Sequence, residues 1–283
     1  MLAIVAIGFS QRTQEQVNQT LALEDRTRAA LKAESALQET LFFLLTESEP
    51  PENDSPCGEL SGISKGPAFN RYGEPFCPTA DLVLMIQDLS GLLPATYPGH
   101  PLWPRYLARR GMSDDELRAF LGLLGDLQDQ DNQGYVRGTM EPKVLSSGRP
   151  FPNRPAQRPS LLHDIADDPS LYAALKQDTH LLGPVTFNPH FAPLRILEAV
   201  FEPSLAKIVA KQRREGSLTQ ATLENYTTKL GDPEVWSFSR FNSSRYWITT
   251  TAFEGRAIVA RSAVIELQQG MTPPFTVLST TAP

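Results

Sequence analysis

The stretch AIGFSQRTQEQVNQTLALEDRTRAALKAESALQETLFFLL, Ala6 to Leu45, decides the fold. No Gly or Pro interrupts the chain from Gln11 to Thr46. Ala30, Ala33, Leu37, Leu41 and Leu44 recur at helical spacing with charged residues between them, so one long amphipathic helix is expected. Pro50-Pro51 ends it, because proline lacks the donor a continuing helix needs. The helix runs back into MLAIVAIGFS, an apolar start too short to cross a bilayer. No basic residue precedes that start and no small-residue cleavage site follows it, which argues against a signal peptide. It reads as the second half of a longer membrane helix.

The rest of the 283-residue chain sorts into blocks. Residues 47–79 are rich in Pro, Gly, Ser and Asn and read as a long loop. Leu82-Val83-Leu84-Met85-Ile86 is a short apolar run suited to a buried strand. From residue 94 to 232 the patterns are helical. SDDELRAFLGLLGDL opens with Ser113 as an N-cap and has acidic residues in its first turn. Arg158–Gln177, His190–Phe201, Ser204–Glu215 and Leu218–Leu230 follow, separated by Pro- and Asn-rich turns. The last fifty residues turn β-branched and aromatic: VWSFSRF (235–241), RYWITTTAF (245–253) and RAIVARSAVIEL (256–267). Glu254-Gly255 is a hairpin signal between the second and third. A lone strand before the helical block cannot form a stable sheet, so it is expected to pair with the later three. The reading is an α+β fold of three parts: a stem helix (1–46), an α/β domain (47–93 and 233–283), and a mainly helical domain (94–232) inserted between strands.

Composition narrows the function. The net charge is −6 with no basic face, which removes nucleic acid as a partner. Cys57 and Cys77 are the only cysteines and both lie in turn-rich sequence. A disulfide between them implies an oxidising compartment; the alternative is two unrelated buried thiols.

Five stretches resemble the minor pseudopilin K family of type II secretion. They are Ala6–Leu45, IQDLSGLLPAT (86–96), LLGDLQDQDNQ (123–133), FPNRPAQRPSLLHDI (151–165) and VTFNPHFAPLRILEAVF (185–201). With the final strands, which resemble the family's closing sheet, the match runs along nearly the whole chain in the family's order. Leu127 stands where the family's acidic motif has Trp, and His190-Phe191 interrupts its Asn-Thr-Ala pattern. The resemblance implies a pilin-like build with the stem helix packed on an antiparallel sheet. It implies a non-enzymatic subunit at the tip of the pseudopilus that caps the filament and initiates its assembly. Its partners would be minor pseudopilins of the I and J type, with the major pseudopilin below. Before assembly it would sit in the bacterial inner membrane with its bulk in the periplasm. The resemblance also implies calcium in the helical domain.

Asp126, Asp129, Asp131 and Glu141 are the candidate calcium ligands. Asp129 to Gly134 partly mimics a calcium loop, but Met140 occupies the twelfth position and Glu141 lies one beyond, so it is no EF-hand. Hard oxygen donors suit calcium over zinc; the alternative is a solvated acidic turn. Gly62-Ile63-Ser64-Lys65-Gly66 matches G-x-S-x-G but lacks the flanking strand and helix, so chance explains it. His100, His163, His180 and His190 show no metal spacing and read as surface or helix-end residues. Lys207, Lys211, Arg213 and Arg214 read as a helix C-terminus, and as a partner-binding patch on the sharper view. Trp236, Phe238, Tyr246, Trp247 and Phe253 read as sheet packing. Two other functions stay open: a periplasmic hydrolase or binding protein with a pocket in the helical block, and a type IV pilus tip subunit.

Overall fold

The computed structural model describes residues 2–46, 69–128, 159–166, 168–228, 243–268 and 270–281. In chain order these form α1 (Leu2–Thr46), β1 (Phe76–Thr79), β2 (Leu82–Asp88), a 3-10 turn (Leu89–Gly91), β3 (Leu93–Pro94), α2 (Leu102–Arg109) and α3 (Asp114–Asp126). After a second 3-10 turn (Pro159–Asp164) come α4 (Pro169–Asp178), β4 (Thr179–His180), α5 (Leu194–Val200), α6 (Pro203–Arg214) and α7 (Gln220–Thr228). The last three elements are β5 (Arg245–Glu254), β6 (Ala257–Leu267) and β7 (Phe275–Thr281). The chain divides into two compact units, 1–87 with 246–283, and 88–245.

The first unit is the stem helix and a five-stranded sheet of order β1-β2-β5-β6-β7. β1 and β2 pair antiparallel, as do β6 and β7. Phe253 N donates to Asp81 O, which sets the end of β5 beside the start of β2 and makes that central pair antiparallel too. β5 and β6 meet at Gly255-Arg256, where Gly255 has φ +52°. A Cβ there would fall 2.3 Å from the Asp25 carboxylate, so the turn accepts only glycine without rearrangement.

The sheet's inner face comes from strand alternation. Tyr246, Ile248, Thr250 and Ala252 of β5 all point inward. They meet Ala29, Ala33, Ala36, Leu37, Leu41 and Leu44 of α1, together with Ile86, Ala263 and Ile265. Three alanines on the contact face let the helix backbone approach the sheet, and Thr250 Oγ1 donates to the Ala33 carbonyl at 2.9 Å. Ala29, not the expected Ala30, holds the first buried position. Each fully buried Leu or Ile contributes about 1.5–3 kcal/mol through removal of apolar area from water.

Two strands were not legible as strands, and both are edges: β1 contains Pro78, and β7 follows Pro273-Pro274. Proline is tolerated at sheet edges, so its presence masked them. The sheet thus has five strands where the sequence reading expects four. The expected strand VWSFSRF lies outside the described residues.

The second unit is helical. Trp103, Tyr106, Leu107, Leu124, Phe187, Ile196, Leu197, Phe201 and Val209 are buried in it. Ser113 and Glu116 form a reciprocal capping box at the start of α3. Asp168 caps α4 by accepting from Ser170 N, and Pro169 stands at its first position. β3 and β4 form a short parallel pair. The boundaries fall at 87/88 and 245/246 rather than the expected 93/94 and 232/233. Packing explains the shift: Leu89, Leu92 and Leu93 are buried, and Ser90 O accepts from Asn188 N at 2.6 Å. Gly91 is wedged against this same segment, since a Cβ would lie 2.1 Å from Phe191 O. The stretches 86–96 and 185–201, far apart in sequence, therefore meet inside one unit.

Asp88 closes the ends of this unit. Its buried carboxylate accepts from Ser90 N, Ser90 Oγ and Ser243 N. The chain leaves the sheet and returns to it at adjacent points, which is how a sheet tolerates an insertion between neighbouring strands. Burial pushes the Asp88 carboxyl up, and the Ser243 and Ser90 hydrogen bonds pull it partly back.

Candidate functional site

The stem helix carries a second apolar face. At 100° per residue, the sheet-facing Ala29 to Leu44 set occupies one side of α1. Phe9, Val17, Leu21, Leu31 and Phe42 fall within an arc of about 120° on the opposite side. All five are more than half exposed. Several polar residues in the same arc bond within the helix. The Thr13 and Thr20 hydroxyls donate back to the Phe9 and Gln16 carbonyls, and Arg28 pairs with Glu24 one turn away. The surface therefore presents apolar bodies interspersed with polar groups, some of them paired within the helix. The sequence reading missed this face, because two opposed stripes on one helix blur the periodicity of each.

Where the sheet begins, α1 is clamped. Lys32 Nζ donates to Glu254 Oε2 at 2.8 Å and also to Asp81 Oδ2. Asp81 sits in the β1–β2 turn, so one ammonium ties the helix to two strand ends. The hydrogen bond to Asp81, then that to Glu254, raises the Lys32 pKa above its ordinary 10.5, and the Lys32 bond holds Asp81 below 3.8. Residues before Asp25 project from this clamp with exposed side chains from Phe9 to Glu24.

The expected chemical residues fare variously. Asp126 is a buried carboxylate in the last turn of α3. Helix C-termini are electronegative, so a carboxylate there is complemented best by a cation. Asp129, Asp131 and Glu141 lie outside the described residues, as does the Gly62–Gly66 string. Among the described residues no cluster of three or more His, Cys, Asp or Glu is placed to hold a metal. Cys77 is buried in β1 as a half-cystine; Cys57 lies outside the described residues.

The surface reading of the histidines is corrected for two of them. His100 and His180 are buried in the helical unit. His100 Nδ1 accepts from Leu102 N and His180 Nδ1 from Gly183 N, which leaves the proton on each Nε2. Burial pulls His100 down to about 4; burial, with Arg245 and His100 nearby, pulls His180 down to about 3. His163 is exposed and edge-packed on Tyr172. His190 is half-buried, its pKa lowered by burial and then by Arg213. Of the basic cluster, Lys207, Lys211 and Arg214 are exposed on α6 and Arg213 is buried. Arg213 turns inward and donates to the His190 and Ala192 carbonyls, while Lys211 pairs with Glu215. Tyr246 and Phe253 pack in the core, and Trp247 Nε1 donates to Ser262 Oγ on β6. Trp236 and Phe238 lie outside the described residues.

A long helix on an antiparallel sheet, with a helical unit spliced between two paired strands, defines a pilin-like α+β protein. A chain of the solved GspK-GspI-GspJ complex, from the type 2 secretion system of enterotoxigenic Escherichia coli, has the same fold. The two superpose with a TM-score of 0.56 at 15% identity, over 96% of this chain and 99% of that one. No sequence-family profile matches the chain, and no curated relative does. No helix among the described residues is long and apolar enough to cross a membrane.

Proposed function

We propose that this chain is a minor pseudopilin of the K type, which caps the tip of the type II secretion pseudopilus and helps initiate its assembly for export across the outer membrane. The observation that carries this is the stem: one helix whose first face holds the sheet and whose opposite face is an exposed apolar stripe. A free-standing enzyme has no use for such a helix, whereas a filament subunit buries it against its neighbours. The fold likeness over nearly the whole length of both chains supports the same reading, because that solved chain belongs to the GspK-GspI-GspJ complex of a type 2 secretion system.

The inserted unit supplies the capping argument. Subunits of a helical filament occupy identical positions along its axis. In this reading the extra unit of 158 residues, 88–245, is what stops a further copy from adding. The partners are subunits of the I and J type beside it and the major pseudopilin below. The chain acts without catalysis, held in the inner membrane before assembly, with its bulk in the periplasm. An oxidising periplasm suits a Cys57–Cys77 bridge, and hard carboxylates at Asp126, Asp129, Asp131 and Glu141 suit a structural calcium ion.

Co-purification tests the reading. Co-expressed with I- and J-type subunits, the soluble part is expected to elute with both as one stable complex. Elution of this chain alone at high concentration, with the other two pairing without it, contradicts the proposal. Calcium is tested separately: saturating metal adds about 2.7 kcal/mol at a hundredfold excess over Kd, so chelation is expected to lower Tm by several degrees. An unchanged Tm removes the ion from the account.

A further inference from the structure

From Val17 to Phe42, one row of exposed residues on α1 recurs at alternating steps of four and three. Its apolar members are Val17, Leu21, Leu31 and Phe42, and Glu24 and Arg28 stand between the two leucines. A strict seven-residue repeat of this kind is the seam along which two helices wind about each other. A facing sheet or loop imposes no such period. The row lies opposite the alanine face, so the sheet does not occupy it.

The two charges at the centre of the seam say which helix it takes. In the free chain Glu24 accepts from Arg28 one turn on, and water reaches both side chains. Packed on a partner they lose that water, and the loss is offset only if the partner presents opposite charges. A second copy running parallel does not. In a parallel pair each level of the seam faces the same level of its partner, and a shift by whole heptads preserves it. Glu24 then faces Ser10, Val17, Glu24, Leu31 or Gln38. Arg28 faces Gln14, Leu21, Arg28, Ser35 or Phe42. No such register sets either charge level with its opposite. In full register the like charges face each other directly, and the diagonal attractions between Glu24 and Arg28 act over a longer distance.

We infer that this seam receives a parallel helix of a different subunit, with a cationic side chain level with Glu24 and a carboxylate level with Arg28. Each charge then meets its opposite both along its own helix and across the seam, while the apolar residues to either side supply contact area. The charge pair is a selector: it penalises a copy of this chain more than a helix with the reversed order. The inference rests on the filament reading, which sets neighbouring stems parallel, and adds which neighbour this stem takes and through which residues.

Two measurements on the full chain in detergent test it. Alone, the chain is expected to sediment as a monomer. Glu24→Leu plus Arg28→Leu makes the seam apolar from Val17 to Leu31 and is expected to tighten self-association at least tenfold. A parent chain that self-associates as tightly as this variant overturns the inference; an antiparallel copy, which would level Glu24 with Arg28, would show itself in this way. In co-expression with I- and J-type subunits, Glu24→Arg plus Arg28→Glu is expected to cut the recovered complex at least tenfold with Tm unchanged. Arg12→Glu plus Glu15→Arg, a swap on the far side of the stem, is expected to leave recovery as in the parent. Full recovery of the seam variant, or an equal loss in both variants, overturns the inference and leaves the tip reading standing. Failure of the parent chain itself to co-purify overturns both.

Discussion

His100 and His180 make the sharpest statement at the scale of single residues. Both are held neutral, with native values near 4 and 3 against an ordinary 6.5. The unfolded chain therefore takes up protons first as pH falls below 6.5. Their contribution to stability is complete above that pH and is lost progressively down to the native values, at about 1.4 kcal/mol per pH unit for each. Urea unfolding is expected to show a lower midpoint at pH 5 than at pH 7, with His100→Gln plus His180→Gln flattening the dependence. A pH-independent midpoint from 7 to 5 contradicts their burial. Asp88 runs the other way: its contribution is complete below 3.8 and fades as pH climbs through its raised native value. None of this was legible in the sequence. The groups around these imidazoles come from segments eighty residues apart, and a histidine's burial is set by that tertiary company. Ser113, by contrast, was readable as a cap because its partner Glu116 is three residues away.

Among the elements, α1 and α3 to α7 were legible from periodicity and caps, while α2 was not read and the edge strands were hidden by their prolines. The clamp on α1 is the element's weak fastening. Lys32 and Asp81 are both partly solvent-exposed, so screening limits the pair, and Lys32→Met is expected to cost at most about 1 kcal/mol in chemical unfolding. The alanine face is the strong fastening. Ala33→Leu forces extra volume against β5 at a fully buried position and is expected to cost about 1–3 kcal/mol. In the second unit, Asp178 joins α2, α4 and α5 through Arg110, Tyr106 and Arg195. Asp178→Asn leaves two guanidiniums facing each other over a buried amide, and a loss of about 3–5 kcal/mol is expected. A loss below 1 kcal/mol would show that the network is solvated rather than structural.

Taken as one molecule, the chain is a pilin-like sheet opened between β2 and β5 to admit a helical unit. The order of blocks along the sequence already implied this, because one strand before the helices had to find partners after them. The seam was misplaced by several residues at one end and by thirteen at the other: Leu89 to Leu93 look like loop-flanking residues in sequence, yet they fill the helical core. The bridge proposed between Cys57 and Cys77 would fasten the loop before the sheet. Cys57→Ser is expected to cost about 3 kcal/mol on chain-entropy grounds, read as a drop in Tm against the parent chain under non-reducing conditions.

The capping role is tested most directly by locating this chain on assembled pseudopili. Gold labelling of an epitope in the helical unit, read by electron microscopy, is expected to mark one end of each filament and nowhere else. Label distributed along the shafts would contradict the account, because it would show that the inserted unit does not stop a neighbour from adding above it.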